Sequence, residues 1–343
     1  MARQPVVSGE PPDDERRRDD ALRPRWLREV IGQKAVVERL RILINGSKKL
    51  KEPLPHILFD GPPGLGKTTF ATVLPNEIGT TIQTTSGPAL SKPADLLPFL
   101  TNASEGSIIF VDEIHRMPRV VEEFIYPAME DFRADIVLGE GLNARTLSLK
   151  LNRFTLIGAT TRSGMLSSPM RDRFKMHEHL EFYTVAELAE IVRVNAQKLK
   201  TPLAEDAALE LARRSRGTPR IANRRLSWAR SYAASEADGT ITLDVARAAL
   251  SISDVDGEGL DKQDRRYLET LIGVFAGGPT GVEALAATMN LPTDTLSDDI
   301  EPYLLREQFI VRTPRGRLAT DRSYQLLGKE RKSLPDESGT LFE

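Results

Sequence analysis

Gly61-Pro62-Pro63-Gly64-Leu65-Gly66-Lys67-Thr68 is a complete G-x-x-x-x-G-K-T phosphate loop. It follows the apolar run Ile57-Leu58-Phe59, which reads as a strand, and leads into Thr69-Phe70-Ala71-Thr72-Val73-Leu74, which reads as the start of a helix. That strand–loop–helix setting separates a nucleotide site from a chance match. The glycines, Gly64 and Gly66 among them, let the backbone curl so that several N–H groups converge. The helix adds its positive N-terminal end, so a polyphosphate is held by backbone and dipole together. Lys67 is expected on the β- and γ-phosphates of the nucleotide, and the Thr68 hydroxyl on Mg²⁺.

A second acidic signal lies downstream. Ser107-Ile108-Ile109-Phe110-Val111 is a buried-strand pattern ending in Asp112-Glu113. Strand tips of an open parallel sheet are where such folds present their ligands. Asp112 is expected to hold Mg²⁺, directly or through water, and Glu113 to orient and polarise the attacking water. Adjacent strand residues face opposite sides, so the two carboxylates can divide these roles. Phe154 to Thr160 is a third such strand. One of Thr160 and Thr161 at its end can hydrogen-bond the water or the γ-phosphate; Thr161 is carried as the candidate, with Thr160 left open beside it. Phosphoryl transfer also needs positive charge at the transition state. Arg171 and Arg173 are candidates for an arginine offered in trans, and Arg220, opening a later helix, could reach the same nucleotide.

Around these motifs the chain divides into three. Residues 1–20 are short of apolar side chains and rich in charge, so disorder is expected there. Through residue 183, strands and helices alternate, which implies a parallel sheet with crossover helices. Ala134 to Leu151, alternating in polarity around Gly139-Glu140-Gly141, reads as an inserted β-hairpin. Residues 184–255 carry helical spacing only, with a break and restart at Gly217-Thr218-Pro219. Residues 256–343 begin at an acidic, glycine-containing linker and continue as short helices. Phe309 to Ala319 then alternates in polarity on both sides of Pro314-Arg315-Gly316, a two-stranded wing, so this part reads as a winged helix. The last dozen residues are expected to be loose. Pro75 should kink or end the helix after the phosphate loop early.

Composition narrows the function classes. With 343 residues and 40% hydrophobic content, the chain can bury two or three cores. No run of eighteen apolar residues occurs, so a membrane span is not expected. The polar N-terminus carries no secretory signal, and the chain holds no cysteine, so a cytoplasmic protein without disulfides or thiolate metal sites is expected. Of the four histidines, only His177 and His179 are close enough to share a strand face, and a zinc site is not expected. A net charge of −2 argues against polyanion binding by the whole surface. Any nucleic-acid contact must be local, and Arg306, Arg312, Arg315, Arg317 and Arg322 supply such a patch.

The motif order resembles that of AAA+ ATPases: the phosphate loop, Asp112-Glu113-Ile114-His115, Gly158-Ala159-Thr160-Thr161-Arg162, Arg171-Asp172-Arg173-Phe174, and Gly217-Thr218-Pro219-Arg220. Longer strings are more specific. Leu22-Arg23-Pro24, Tyr126-Pro127-Ala128-Met129-Glu130-Asp131, Gly217 to Arg224, and Arg312-Thr313-Pro314-Arg315-Gly316-Arg317 resemble the RuvB family of Holliday-junction branch-migration motors. The resemblance runs from about Leu22 to Gly328.

The resemblance implies an AAA+ core, a small helical lid domain and a C-terminal winged-helix domain. It also implies an ATP-driven DNA motor working in recombination and repair. By position it assigns Leu22 and Arg23 to the adenine pocket, and Gly64, Lys67, Thr68 and Thr69 to phosphate and magnesium. Glu130, Asp131 and Phe132 match a further stretch near the nucleotide. Tyr183 and Arg220 match contacts at the lid, Arg220 as a second sensor. Arg173, ahead of Arg171, matches the residue offered to a neighbour's ATP, which implies a ring of identical subunits, hexameric in this family. The 134–151 hairpin matches the element that docks on a RuvA-like junction-binding protein, and a RuvC-like resolvase is a further partner the family leaves room for. Arg312 and Arg317 above all, with Arg315, match the region contacting duplex DNA. ATP rather than GTP is favoured by the resemblance alone.

Four positions depart from the family pattern: Phe132 stands where Tyr is usual, Lys175 where Gly is usual, Pro75 interrupts a helix, and Leu291-Pro292-Thr293 replaces a more charged stretch. A protein-remodelling ATPase would need an aromatic pore loop, which is not evident. A non-enzymatic regulator built on the wing would not need Glu113 or Arg173. A clamp loader would share the ATPase core but not the C-terminal domain.

Overall fold

The computed structural model describes residues 21–138 and 145–331. The expectations for residues 1–20, the last dozen residues and the turn at Gly139-Glu140-Gly141 lie outside the described residues.

Five parallel strands form the central sheet: β1 (Ile57–Asp60), β2 (Ile82–Ser86), β3 (Ser107–Asp112), β6 (Phe154–Thr160) and β7 (Met176–His179), in the order β2-β3-β6-β1-β7. Side chains alternate across it. Ile57, Phe59, Ile108, Phe110, Ile157 and Ala159 enter a core with Phe70, Leu74, Leu40 and Ile44. Leu58, Ile109, Val111, Phe154 and Leu156 enter a second core with Leu96, Leu100, Val121 and Ile125 on the other face. Both faces are covered, so the inner strands read as unbroken apolar runs. β2 and β7 have no such run: Ile-Gln-Thr-Thr-Ser and Met-His-Glu-His lie at the two sheet edges.

After β1 the chain crosses β6 and β3 to reach β2, whereas after β6 it crosses β1 to reach β7. Connections that leave neighbouring strands in opposite directions open a crevice at their carboxyl ends. The phosphate loop lies there. The inserted hairpin, β4 (Arg133–Leu138) and β5 (Arg145–Lys150), pairs antiparallel from Arg133↔Lys150 to Leu138↔Arg145.

Pro75 does not end its helix, which runs Lys67–Ile78 and stops at Gly79. Proline here removes one donor within the last turn only. Phe70, Ala71, Val73, Leu74 and Pro75 are buried on one side, and that packing outweighs the lost bond. The amides of Gly79 and Thr80 both close on the Pro75 carbonyl, at 2.9 and 3.0 Å.

Four helices follow: Val185–Lys198, Glu205–Arg213, Pro219–Glu236 and Leu243–Ile252. The first opens on a capping box. Thr184 Oγ1 accepts from the Glu187 amide at 3.2 Å, and the Glu187 carboxylate accepts from the Thr184 amide at 2.9 Å. Their apolar faces (Leu188, Val192, Ala208, Leu226, Ala249) continue the first core without a break.

The last unit has a separate core of Tyr267, Leu268, Leu285, Leu296, Leu304 and Phe309. Helices Lys262–Gly273, Val282–Met289 and Glu301–Arg306 precede the wing, β8 (Ile310–Thr313) paired with β9 (Gly316–Ala319), and the helix Asp321–Leu326 closes it. A widened turn, Thr295–Ile300, leads into the third helix. Gly316 has φ +133°, and a Cβ there would meet the Thr280 backbone at 2.4 Å, so only glycine lets the wing lie this close. Arg216 ties this unit to the preceding helices. It is buried between Asp261 and Asp264, and its Nε donates to the Gly259 carbonyl at 2.9 Å.

Candidate functional site

The phosphate loop turns on Gly61, Gly64 and Gly66, with φ of +131°, +77° and +105°. A Cβ on Gly64 would lie 2.7 Å from Thr218 Cγ2 and 3.0 Å from Arg220 Cβ, so the helical unit sits directly on the loop. Lys67 is only 7% exposed. Its ammonium donates to the carbonyls of Gly61 and Pro62 at 2.7 and 2.8 Å. Burial pushes its pKa down to about 8, opposed by Asp112 and Asp60 and aided by Arg220.

β3 delivers Asp112 to the same place. Asp112 Oδ2 accepts from Thr68 Oγ1 at 3.3 Å, and Oδ1 accepts from the Glu113 amide at 2.9 Å. A hydroxyl and a carboxylate this close make a hard-oxygen corner of the kind Mg²⁺ takes. Glu113 adopts φ +46°, and its carboxylate accepts from Arg116 Nη1 at 3.0 Å.

At the tip of β6 the two threonines separate. Thr160 is buried, and its hydroxyl lies 3.0 Å from His115 Nδ1 and accepts from the Arg162 amide at 3.0 Å. Thr161 lines the cavity. That cavity measures about 320 Å³ and is walled by Lys67, Thr68, Asp112, Glu113, Thr161 and Arg220. It meets an apolar recess formed by Leu22, Val30, Ile31, Tyr183, Ile191 and Val194, with Arg23, Gly66, Thr69, Pro219 and Asn223 common to both. The Tyr183 hydroxyl donates to the Leu65 carbonyl at 3.1 Å, and burial pushes its pKa up to about 12.

Three lining residues were not among the expected site residues. Ser86 ends the edge strand β2 opposite Asp112. Pro219 and Asn223 open the lid helix beside Arg220. A proline followed by a helix after Gly217 was the available signal for that helix end.

Other expected residues lie elsewhere. Glu130, Asp131 and Phe132 were placed near the nucleotide by resemblance, but none lines this cavity. They stand at the end of the helix Arg119–Glu130, and Glu130 pairs with Arg173 Nη2 at 3.0 Å. Arg173 also donates to the Pro169 carbonyl at 2.7 Å and lies 3.9 Å over the Tyr126 ring. The Tyr126 hydroxyl and Ser167 Oγ both donate to Glu122 Oε2, at 3.2 and 2.7 Å. Arg171 donates to Ser168 Oγ at 3.2 Å. Arg173 is therefore held as a braced group away from its own chain's phosphate loop.

In the wing, the fully buried Glu301 gathers both Arg312 and Arg317. Arg312 Nη2 donates to Oε2 at 2.6 Å, Arg317 Nε donates to Oε1 at 2.9 Å, and the Tyr267 hydroxyl donates to Oε1 at 3.0 Å. Burial first, and then the Glu301 carboxylate, push the Tyr267 pKa up. Arg315 stands exposed at the turn between the two strands.

Comparisons with known proteins cover the same regions. Residues 22–180 match the Holliday junction DNA helicase RuvB P-loop domain. Residues 183–256 match the RuvB AAA lid domain, and residues 257–328 the RuvB C-terminal winged helix domain. A protein of Rhodopirellula baltica, the Holliday junction branch migration complex subunit RuvB, is 57% identical over 318 residues, 93% of this chain and 86% of that protein. The Thermotoga maritima RuvB Holliday junction branch migration motor superposes with a TM-score of 0.83 at 43% identity, over 90% of this chain and 99% of that one. A point variant of it gives 0.84 at 44%, with the same coverage.

Proposed function

The chain belongs to the RuvB family, and on that premise we propose how its residues divide the work of an ATP-driven Holliday junction branch migration helicase. One observation carries the proposal. Lys67, Thr68, Asp112, Glu113 and Thr161 face one cavity that Arg220 closes from the lid.

Lys67 leaves the Gly61 and Pro62 carbonyls and binds the β- and γ-phosphates of ATP. The base lies in the recess of Leu22, Arg23 and Tyr183, and Gly64, Gly66 and Thr69 bound the phosphate side. Thr68 and Asp112 are the residues that would hold Mg²⁺, an ion that neutralises charge developing on the phosphates. Glu113 orients the attacking water once its carboxylate leaves Arg116, and Thr161 donates to the γ-phosphate or that water. Thr160 is left as a structural link. Arg220 reports the γ-phosphate to the lid.

Arg173 is offered to the ATP of an adjacent subunit, with Glu130 and Tyr126 aiming it and Arg171 the lesser candidate. The active form is then a ring, six copies by family analogy. Asp131 and Phe132 belong to that shared boundary rather than to the chain's own nucleotide. Division at 183/184 and 255/256 separates the ATPase, lid and DNA-gripping units. The β4–β5 hairpin, with Leu147 exposed on it, docks a RuvA-like protein, and a RuvC-like resolvase acts on the same junctions. Arg315 contacts duplex phosphates directly, with Arg312 and Arg317 setting the pitch of the wing. Sequence-independent contact suits a translocating motor. The cytoplasm, where chromosomal DNA of such a cell lies, is the working compartment.

The test is ATP hydrolysis by the purified chain with and without duplex DNA, using Glu113→Gln as the control. Turnover in the variant should fall by about 10²–10⁴, with nucleotide binding kept. Turnover no higher in the parent than in the variant overturns the catalytic assignment. A four-way DNA junction, with a RuvA-like partner, ATP and Mg²⁺, tests the hairpin: deleting residues 134–151 should abolish migration and spare hydrolysis.

A further inference from the structure

One side chain ties the sensing end of the sheet to the DNA-gripping unit. Arg162 follows Thr161 directly. Its Nε donates to Asp298 Oδ1 at 2.9 Å, and its Nη2 to Asp294 Oδ1 at 2.7 Å. Asp298 lies in the widened turn that leads into the helix Glu301–Arg306, whose first residue anchors the wing, and Asp294 is the residue that opens that turn. On the other side, the Arg162 amide donates to Thr160 Oγ1, and that hydroxyl lies 3.0 Å from His115, two residues beyond Glu113. A continuous set of contacts therefore runs from the cavity wall to the base of the wing.

The two ends of this set differ in strength. The lid and the winged unit are joined by Arg216 between Asp261 and Asp264; Arg216 and Asp264 are buried, and Asp261 is partly exposed. Separating them would strand buried charges. Arg306 of the winged unit adds to that joint by donating to the Arg216 carbonyl at 3.1 Å, and it also lies 4.4 Å over Phe182, just ahead of the lid. The Arg162 contact is different. The Asp294 side chain is 72% exposed, so water can replace its bond at little cost, and Arg162 and Asp298, partly exposed, are within reach of solvent where Arg216 and Asp264 are not. A strong joint on one side and a screened, reversible one on the other describe a body that moves with the lid and is latched to the ATPase sheet.

We propose that Arg162 is a positioning residue that couples the γ-phosphate end of the nucleotide site to the DNA-binding unit, gripping Asp294 and Asp298 in one step of the ATP cycle and releasing them in another. Thr161 and Glu113 respond to the γ-phosphate. Arg162, fixed to both through Thr160 and His115, carries that displacement to the wing. This rests on the assignment of Thr161 to the nucleotide site made above.

The test begins with Asp294→Asn combined with Asp298→Asn, two changes outside the nucleotide cavity. Turnover without DNA should stay within about twofold of the parent, while stimulation by duplex DNA should fall roughly tenfold, the scale of a typical coupling between sites. Reversing all three charges (Arg162→Asp, Asp294→Arg, Asp298→Arg) should restore part of the stimulation, which ties the effect to the ion pair itself. A second readout uses the absence of native cysteine. Spin labels at Val120→Cys and Val274→Cys, both exposed, report the distance between sheet and winged unit. In the parent the mean distance should differ between ADP and a nonhydrolysable ATP analogue, and in the asparagine pair that difference should collapse. Undiminished stimulation in the asparagine pair, or equal label distances in both nucleotide states of the parent, overturns the coupling. Failure of the analogue to bind the parent at all overturns the site assignment, and the coupling with it.

Discussion

At the scale of single residues, Lys67 gives the most direct pH signature. Its folded pKa of about 8 lies below the ordinary lysine value of 10.5 because burial disfavours the ammonium. Between those values the unfolded chain binds more protons than the folded one. Lys67 therefore makes the ligand-free protein gain stability as pH rises from about 8 toward 10.5. Phosphate binding favours the charged form, so nucleotide affinity should weaken as pH rises through about 8, with proton uptake on binding near that pH. Calorimetric titration in buffers of different ionisation enthalpy measures that uptake, and Lys67→Ala should remove it. The two threonines at the tip of β6 allow a second contrast. Thr160→Val removes the hydrogen bonds of the buried Thr160 hydroxyl to the partly buried His115 ring and Arg162 N–H and should cost about 1 kcal/mol of stability. Thr161→Val should leave the melting temperature nearly unchanged and lower turnover. Equal melting losses in both variants would contradict the separation of their roles.

At the scale of elements, the wing shows how a charged pattern can be read correctly as an element and ambiguously as a surface. Alternation around Pro314-Arg315-Gly316 marks the two strands, yet nothing in that stretch reveals that Arg312 and Arg317 meet across the register and fold back on Glu301. Glu301→Gln should destabilise the winged unit by about 1–3 kcal/mol, chiefly through Arg317, because Arg312 is half exposed and water can take over its bond. Arg315→Ala should leave stability alone, weaken duplex binding, and lower the slope of log affinity against log salt by about one. Thermal melts and salt titrations of the two variants separate these effects. The inner strands were legible because burial on both faces demands apolar runs. The edge strands β2 and β7 were not, because a half-covered edge accepts Gln, Thr, His and Glu. Pro75 misled for the opposite reason: its local penalty is real, but one buried helix face against the sheet exceeds it.

At the scale of the whole molecule, the phosphate loop and the Asp112-Glu113 tip were readable because fixed spacing and strand context carry the chemistry with them. The contacts made by Ser86, Asn223 and Arg162 were not, because they follow from how distant units pack. The displacement of Glu130 and Phe132 toward Arg173 likewise becomes visible only when the helix Arg119–Glu130 is in place. This arrangement predicts complementation between copies. Mixed Lys67→Ala and Arg173→Ala subunits, each inactive alone, should recover a fraction of parental turnover at boundaries that pair an intact loop with an intact arginine; no recovery in freshly mixed assemblies would count against a shared site. The first hydrophobic core, running unbroken from the sheet into the lid helices, sets the style of movement available to such an assembly. Closely packed surfaces slide by about 1–2 Å more readily than they part. The lid is therefore expected to roll like a meshed gear rather than swing like a gate, and in the proposed ring a long stride along a duplex would accumulate from small turns.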